Sequence, residues 1–154
     1  MLQRTDDDEL TELGAALVMY AGRLVRAVSR RTAHDVPAAT LRLLSQVEEL
    51  GPVTISQLAH ADRCSQPAMS GAVQNLTDKG WAVKRTNPDD GRSSLVALTD
   101  AGRSMLAEAR RKNGALVAER LLLTGQHGRE DVAAAVDLLK HLLDHDTHES
   151  RDPS

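Results

Sequence analysis

Gln66, Ser70 and Gln74 recur at intervals of four, a spacing that stacks them on one face of a helix. All three side chains are neutral and both donate and accept hydrogen bonds. Groups of that kind, on a face without long charges or apolar anchors, suit the edges of bases in a major groove. An ordinary solvated face is the competing reading. Met69, Val73 and Leu76 recur at steps of four and three and form the apolar face of the same segment.

The segment has its own punctuation. Ser65 is a good N-cap, Pro67 is tolerated in the first turn, and Gly80 stops the helix. Ahead of it, Thr54 and Gln57 form a Thr-x-x-Gln capping box that predicts a short helix with Ile55, Leu58 and Ala59 inward. After it, Trp81 to Thr86 and Ser94 to Leu98 read as two strands, the second with alternating Leu95 and Leu98 around small residues. Between the strands lie Asn87, Pro88, Asp89, Asp90, Gly91 and Arg92, mostly turn formers. A helix, a turn, a second helix and a two-stranded hairpin make a winged helix-turn-helix.

Several side chains around this block can meet a phosphate backbone. Arg63 precedes the second helix, and Ser65 and Pro67 stand at its start, where free N–H groups favour an anion. Thr54 and Ser56 open the preceding helix, while Lys79, Lys84 and Arg85 flank the wing. Each reads equally as a cap or a surface charge. At the wing tip, Asp90 is expected to hold the Arg92 guanidinium extended for a narrow minor groove.

The run Ser65-Gln66-Pro67-Ala68-Met69-Ser70, the Asp90-Gly91-Arg92 tip and Leu98-Thr99-Asp100-Ala101-Gly102 together resemble the multiple antibiotic resistance regulator (MarR) family. The resemblance in order and length of elements spans nearly the whole chain. It implies a dimeric, sequence-specific double-stranded DNA-binding regulator, a repressor released by a small acidic or aromatic effector, on a pseudo-palindromic operator. It also implies an effector cleft between the dimer helices and the winged domain, for which Met19, Arg23 and Arg42 are the candidates. Gly71 departs from the family pattern, which often has a basic or long polar residue there, so the operator of a relative is not transferable.

Composition bounds the rest. The 154 residues are 41% hydrophobic, enough for one core, and with no Phe, one Trp and one Tyr that core must be Leu, Val and Ala. So few aromatics argue against a base-stacking single-strand binder. The net charge of −3 conceals an asymmetry. Residues 1–12 hold one basic and five acidic side chains, and 113–154 hold four and eight, whereas the middle holds fourteen basic and nine acidic. A basic centre between acidic ends fits a centre that faces phosphate. An acidic start without an apolar run, a single cysteine and the lack of a bilayer-length apolar stretch predict a cytoplasmic protein away from membranes.

The expected architecture is mainly α with a small β-wing. Residues 1–35 form an N-terminal dimerisation helix, 36–99 the winged domain, 100–146 C-terminal dimerisation helices, and 147–154 a flexible tail. The first helix carries Leu10, Leu13, Leu17, Tyr20, Leu24 and Val28 as one stripe. The second turns Leu41, Leu44, Val47 and Leu50 inward and stops at Gly51-Pro52. A fifth helix exposes Arg110, Arg111 and Lys112, and the last has a stripe of Val132, Val136, Leu139 and Leu143. These outer helices offer more apolar face than one monomer easily hides, and a homodimer made by them is what the MarR resemblance implies.

Cys64 falls in the turn, where a small apolar residue packs inward; a redox-responsive regulator using Cys64 is the alternative. His141, His145 and His148 have partial zinc-ligand spacing, but as a solvated helix-end cluster they predict no metal. No nucleophile elbow, phosphate-binding Gly loop, paired zinc-knuckle cysteines or convincing carboxylate dyad appears, so neither catalytic residues nor a cofactor is expected. A winged helix used for protein interaction, without specific DNA, is the reading from a different class.

Overall fold

The computed structural model describes residues 2–32 and 36–149, with side-chain surroundings for 6–32 and 36–144. The chain divides into two compact units, one up to Gly114 and one from Ala115.

The buried residues of the first unit's core are aliphatic or Met, with Trp81 partly buried against them. Helix α2 (Ala38–Leu50) buries Leu43, Leu44 and Val47. Leu50, expected inward, is 52% exposed, because it lies on the last turn just before Gly51 reverses the chain at φ 71°. Leu43 takes the inward place that the sequence reading gave to Leu50. Helix α3 (Ile55–Ala61) starts at the expected capping box. The Thr54 hydroxyl accepts from the Gln57 N–H at 3.2 Å, and the Thr54 N–H donates to Gln57 Oε1 at 3.0 Å. Leu58 and Ala59 are buried, with Ile55 half-buried against the core.

The turn that follows holds Arg63 at φ 50°, a left-handed conformation that side chains with a Cβ adopt at a cost. The Cys64 N–H donates to the Ala59 carbonyl at 3.0 Å, and its half-buried side chain packs on the core. Helix α4 (Gln66–Asp78) then begins, capped by the Ser65 hydroxyl and with Pro67 in its first turn. Met69, Val73 and Leu76 are buried, as their spacing predicts. Burying each such side chain stabilises the unit by about 1.5–3 kcal/mol.

The wing belongs to a three-stranded antiparallel sheet ordered β1-β3-β2. β2 (Ala82–Thr86) and β3 (Ser94–Leu98) are the expected hairpin, while β1 (Val53–Thr54) was not foreseen. It pairs Val53 with Val96 and Thr54 with Leu95. Val96 and Leu98 are the buried pair on β3, and Leu95 points to the opposite face. Strand parity requires this, since Leu95 and Leu98 are three residues apart and cannot share a face.

Helix α5 (Asp100–Thr124) is fastened to the wing at its start. The Thr99 hydroxyl donates to the Gly80 carbonyl at 2.6 Å and accepts from the Gly102 N–H at 3.1 Å. The Thr99 N–H donates to the Trp81 carbonyl at 3.1 Å. A Cβ on Gly102 would fall 2.0 Å from that carbonyl oxygen. The Leu-Thr-x-x-Gly sequence is therefore a clamp in which Thr supplies the bonds and Gly the clearance. Further along α5, Arg110 is not a free charge, for it donates to Glu48 of α2 at 2.6 Å. Arg111 and Lys112 both pair with Glu108.

Helix α1 (Leu2–Thr32) starts earlier than expected and includes the acidic lead. Of its stripe, Val28 is buried, whereas Leu10, Leu13, Tyr20 and Leu24 are exposed.

In the second unit, α6 (Arg129–Glu149) continues into the stretch expected as a tail; residues 150–154 lie outside the described ones. A groove of 640 Å³ is lined by Leu121 and Leu122 of α5 and Val132, Ala133 and Val136 of α6. Leu122, Leu123, Leu138, Leu142 and Leu143 are also exposed. The ring of His141 is engaged by the Asp137 carbonyl at 2.9 Å; the side chains of His145 and His148 lie outside the described residues. No described group of His, Cys, Asp and Glu could hold a metal ion. No helix among the described residues is long and apolar enough to cross a membrane.

Candidate nucleic-acid interface

Three elements that are separate in sequence converge on one open groove of 440 Å³. The start of α3 contributes Thr54, Ile55 and Ser56, the first turns of α4 contribute Gln66, Pro67 and Ser70, and the wing contributes Arg92, Ser93 and Ser94. The Thr54–Gln57 capping box starts α3 and the Ser65 N-cap starts α4, and residues from both starts line the groove with the wing.

Within the groove, Gln66 Nε2 donates to the Ser56 hydroxyl, joining the two helices across their exposed side. Ser93 and Ser94 were not singled out from the sequence, although small hydroxyl residues next to Arg92 were a readable signal. The wing tip is wired through its own backbone. Asn87 Oδ1 accepts from the Asp89 N–H at 3.1 Å, and Asn87 Nδ2 donates to the Ser93 hydroxyl at 2.9 Å. Asp90 does not hold the Arg92 guanidinium, as was expected. Its Oδ1 accepts from the Arg92 N–H at 3.0 Å instead, because a carboxylate two residues back closes an Asx turn more easily than it follows a long side chain. Arg92 is held at the backbone and its exposed side chain projects from a stiff turn.

The remaining candidates do not line this groove. Gln74 lies one turn further along α4, where Lys84 Nζ donates to its Oε1 at 3.0 Å. Its Nε2 donates to Asp78 Oδ1 at 2.8 Å. Asp78 was missed, although it is the next step of the same 66, 70, 74 ladder. Lys79 lies over the Trp81 ring, 4.8 Å from its centroid. Arg85 is exposed on β2, and Arg63 sits in the left-handed turn.

The effector candidates are not brought together. Arg42 lines a cavity of 270 Å³ with Asp62, Asn75 and Lys79, and neither Met19 nor Arg23 lines it. Arg23 stacks over Tyr20 at 5.5 Å, and Met19 is exposed. The Arg42 guanidinium is gripped by Asp62 through two bonds of 2.9 and 3.2 Å. Those hydrogen bonds hold the Asp62 carboxyl below its ordinary value, against the opposing effect of burial. A depressed carboxyl stabilises the fold above its unfolded pKa and loses that contribution as pH falls through the folded value. Replacing Arg42 with Met should therefore cost about 0.5 kcal/mol at neutral pH, since the pair is largely solvated. In urea titrations the gap between the two proteins should close below about pH 4.

The MarR family model matches residues 34–93, from the approach to α2 through to the wing tip. An uncharacterized HTH-type transcriptional regulator of Mycobacterium bovis is 29% identical over 138 residues, covering 89% of this chain and 96% of that protein. The multiple antibiotic resistance protein MarR of Salmonella typhimurium is 25% identical over 137 residues, covering 88% and 94%. Among solved structures, the multiple antibiotic resistance repressor MarR aligns with a TM-score of 0.69 at 25% identity over 85% of this chain and 94% of that one. A mutant MarR from Escherichia coli complexed with operator DNA aligns with a TM-score of 0.57 at 25% identity, over 88% and 96%.

Proposed function

We propose, from its likeness to MarR-family transcriptional regulators, that the chain is a homodimeric repressor whose groove between α3, α4 and the wing grips a pseudo-palindromic operator. The observation that carries this reading is the convergence of Ser56, Gln66, Ser70 and Arg92 on one open groove. The MarR–operator complex supports it by fold likeness. Gln66 and Ser70 read base edges, and the stiff tip delivers Arg92 to a minor groove or phosphates. Thr54, Ser65, Lys84 and Arg85 contribute backbone contacts. The segments 36–99 and 100–146 act as the DNA-binding and dimerising parts, with the first helix completing the dimer. Release by a small acidic effector fits Arg42, and such a molecule would first have to displace Asp62.

Helix and wing should divide the work. Arg92→Ala should weaken binding to operator and random duplex alike, by about 1–3 kcal/mol, and flatten the salt dependence. Gln66→Ala should cost more on the operator than on random DNA, shrinking the ratio between them. Titrating each variant with duplex from upstream of its own gene and with random duplex, at two salt concentrations, checks both. A wild type without preference for any duplex and without a salt slope would replace this reading with a protein-interaction module.

A further inference from the structure

We propose that Gln74 is a positioning residue and not a base reader: its amide keeps the Lys84 ammonium apart from the Asp78 carboxylate, so that this charge stays available to a DNA phosphate. The inference rests on the DNA-binding reading above and assigns a role within that interface.

Spacing alone makes Gln74 the twin of Gln66, since both stand on the 66, 70, 74 ladder of α4. Their surroundings differ in kind. Gln66 meets a hydroxyl on Ser56, a group that donates or accepts as required, so its amide can turn towards a base without leaving a charge unserved. Gln74 meets a charge at each end. Lys84 Nζ donates to its carbonyl oxygen at 3.0 Å, and its NH2 donates to Asp78 Oδ1 at 2.8 Å. The amide fits in this sense only, because reversing it would turn NH2 towards an ammonium and oxygen towards a carboxylate. Leaving for a base edge would break two charge-assisted bonds at once.

The same geometry shows what the amide does. Asp78 ends α4 and Lys84 lies on β2, so opposite charges from two elements meet at one side chain. With Gln74 between them, the ammonium makes a neutral contact and keeps its full charge for an anion. Without it, the two can close on each other, and a lysine paired with a carboxylate releases fewer counterions when DNA binds. Lys79, the nearby alternative, is drawn to the Trp81 ring.

The test uses the full chain with operator and random duplex across a salt series, for the wild type, Gln74→Ala, Lys84→Ala, both together, and Gln74→Ala with Asp78→Asn. Each single variant should lose about tenfold on both duplexes and lower the slope of log affinity against log salt by about one. The Gln74–Lys84 double variant should be no worse than Lys84→Ala, and Asp78→Asn should restore the slope lost with Gln74→Ala. If Gln74→Ala spares random duplex and the slope, loses only operator affinity, and adds to Lys84→Ala, then Gln74 reads a base and the proposal fails. No effect of Gln74→Ala on either duplex would also overturn it. A wild type with operator preference keeps the DNA-binding reading in place in both cases, whereas one with no salt slope brings down that reading and this one together.

Discussion

Gly102→Ala should destabilise the winged unit by about 3 kcal/mol or more, a large effect for adding one methyl group. Its Cβ would sit 2.0 Å from the Trp81 carbonyl oxygen and 2.9 Å from the carbonyl carbon, where both neighbours are backbone. A flexible side chain would swing away. Here the obstacle is also the acceptor for the Thr99 N–H, so retreat breaks the clamp that joins α5 to the end of α4. Two losses then coincide, a steric overlap and an unpaired carbonyl. Urea unfolding followed by circular dichroism measures the change. Gly71→Ala, on the exposed side of α4 with open space around its Cβ position, is the control and should leave stability unchanged or raise it. Equal midpoints for Gly102→Ala and the wild type would mean that the clamp does not hold α5.

Removing residues 126–154 should convert the proposed dimer to monomer and abolish tight operator binding. The truncation takes away Val132, Val136, Leu139 and Leu143 and leaves Leu121 and Leu122 without the α6 residues that share their groove. A lone winged unit keeps its groove but engages one half-site at a time. Losing the linkage between two half-sites lowers affinity by about 10²–10⁴ without touching any DNA contact. Sedimentation equilibrium and operator titration measure the two effects. A truncated chain that remains dimeric and binds unchanged would place the interface elsewhere, with the exposed stripe of α1 as the next candidate.

What was legible in the sequence was local. The Thr54 and Ser65 caps, the buried Met69, Val73 and Leu76, and the strand ends all follow from residues within one or two turns of each other. What escaped depends on distant partners. β1 is two residues long and exists only because Val96 and Leu95 lie alongside it. Leu95 and Leu98 mark β3 in the sequence, yet strand parity pairs Leu98 with Val96 on the buried face. Gly102 carried a recognisable motif, but its reason is the Trp81 carbonyl, twenty-one residues earlier. Asp90 was assigned to the guanidinium of Arg92, and the nearer backbone N–H took it. In the interface, Gln66 and Gln74 are indistinguishable by spacing, and their partners separate them, Ser56 at one and Lys84 and Asp78 at the other.

Trp81 gives the molecule an optical probe that needs no label. It is the single tryptophan of the chain, so ultraviolet emission excited selectively at the indole comes from one place. That place is the joint between α4, β2 and α5, with the Lys79 ammonium 4.8 Å from the ring centroid and the Thr99 N–H on its own carbonyl. A cation over an indole face perturbs its excited state, and its withdrawal to a phosphate changes both intensity and wavelength. Lys79 also lines the cavity beside Arg42 and Asp62, so a small anion entering there meets the same ammonium. The proposed binding of DNA and of small acids should thus appear as two emission changes at one chromophore, with Lys79→Gln as the silent control.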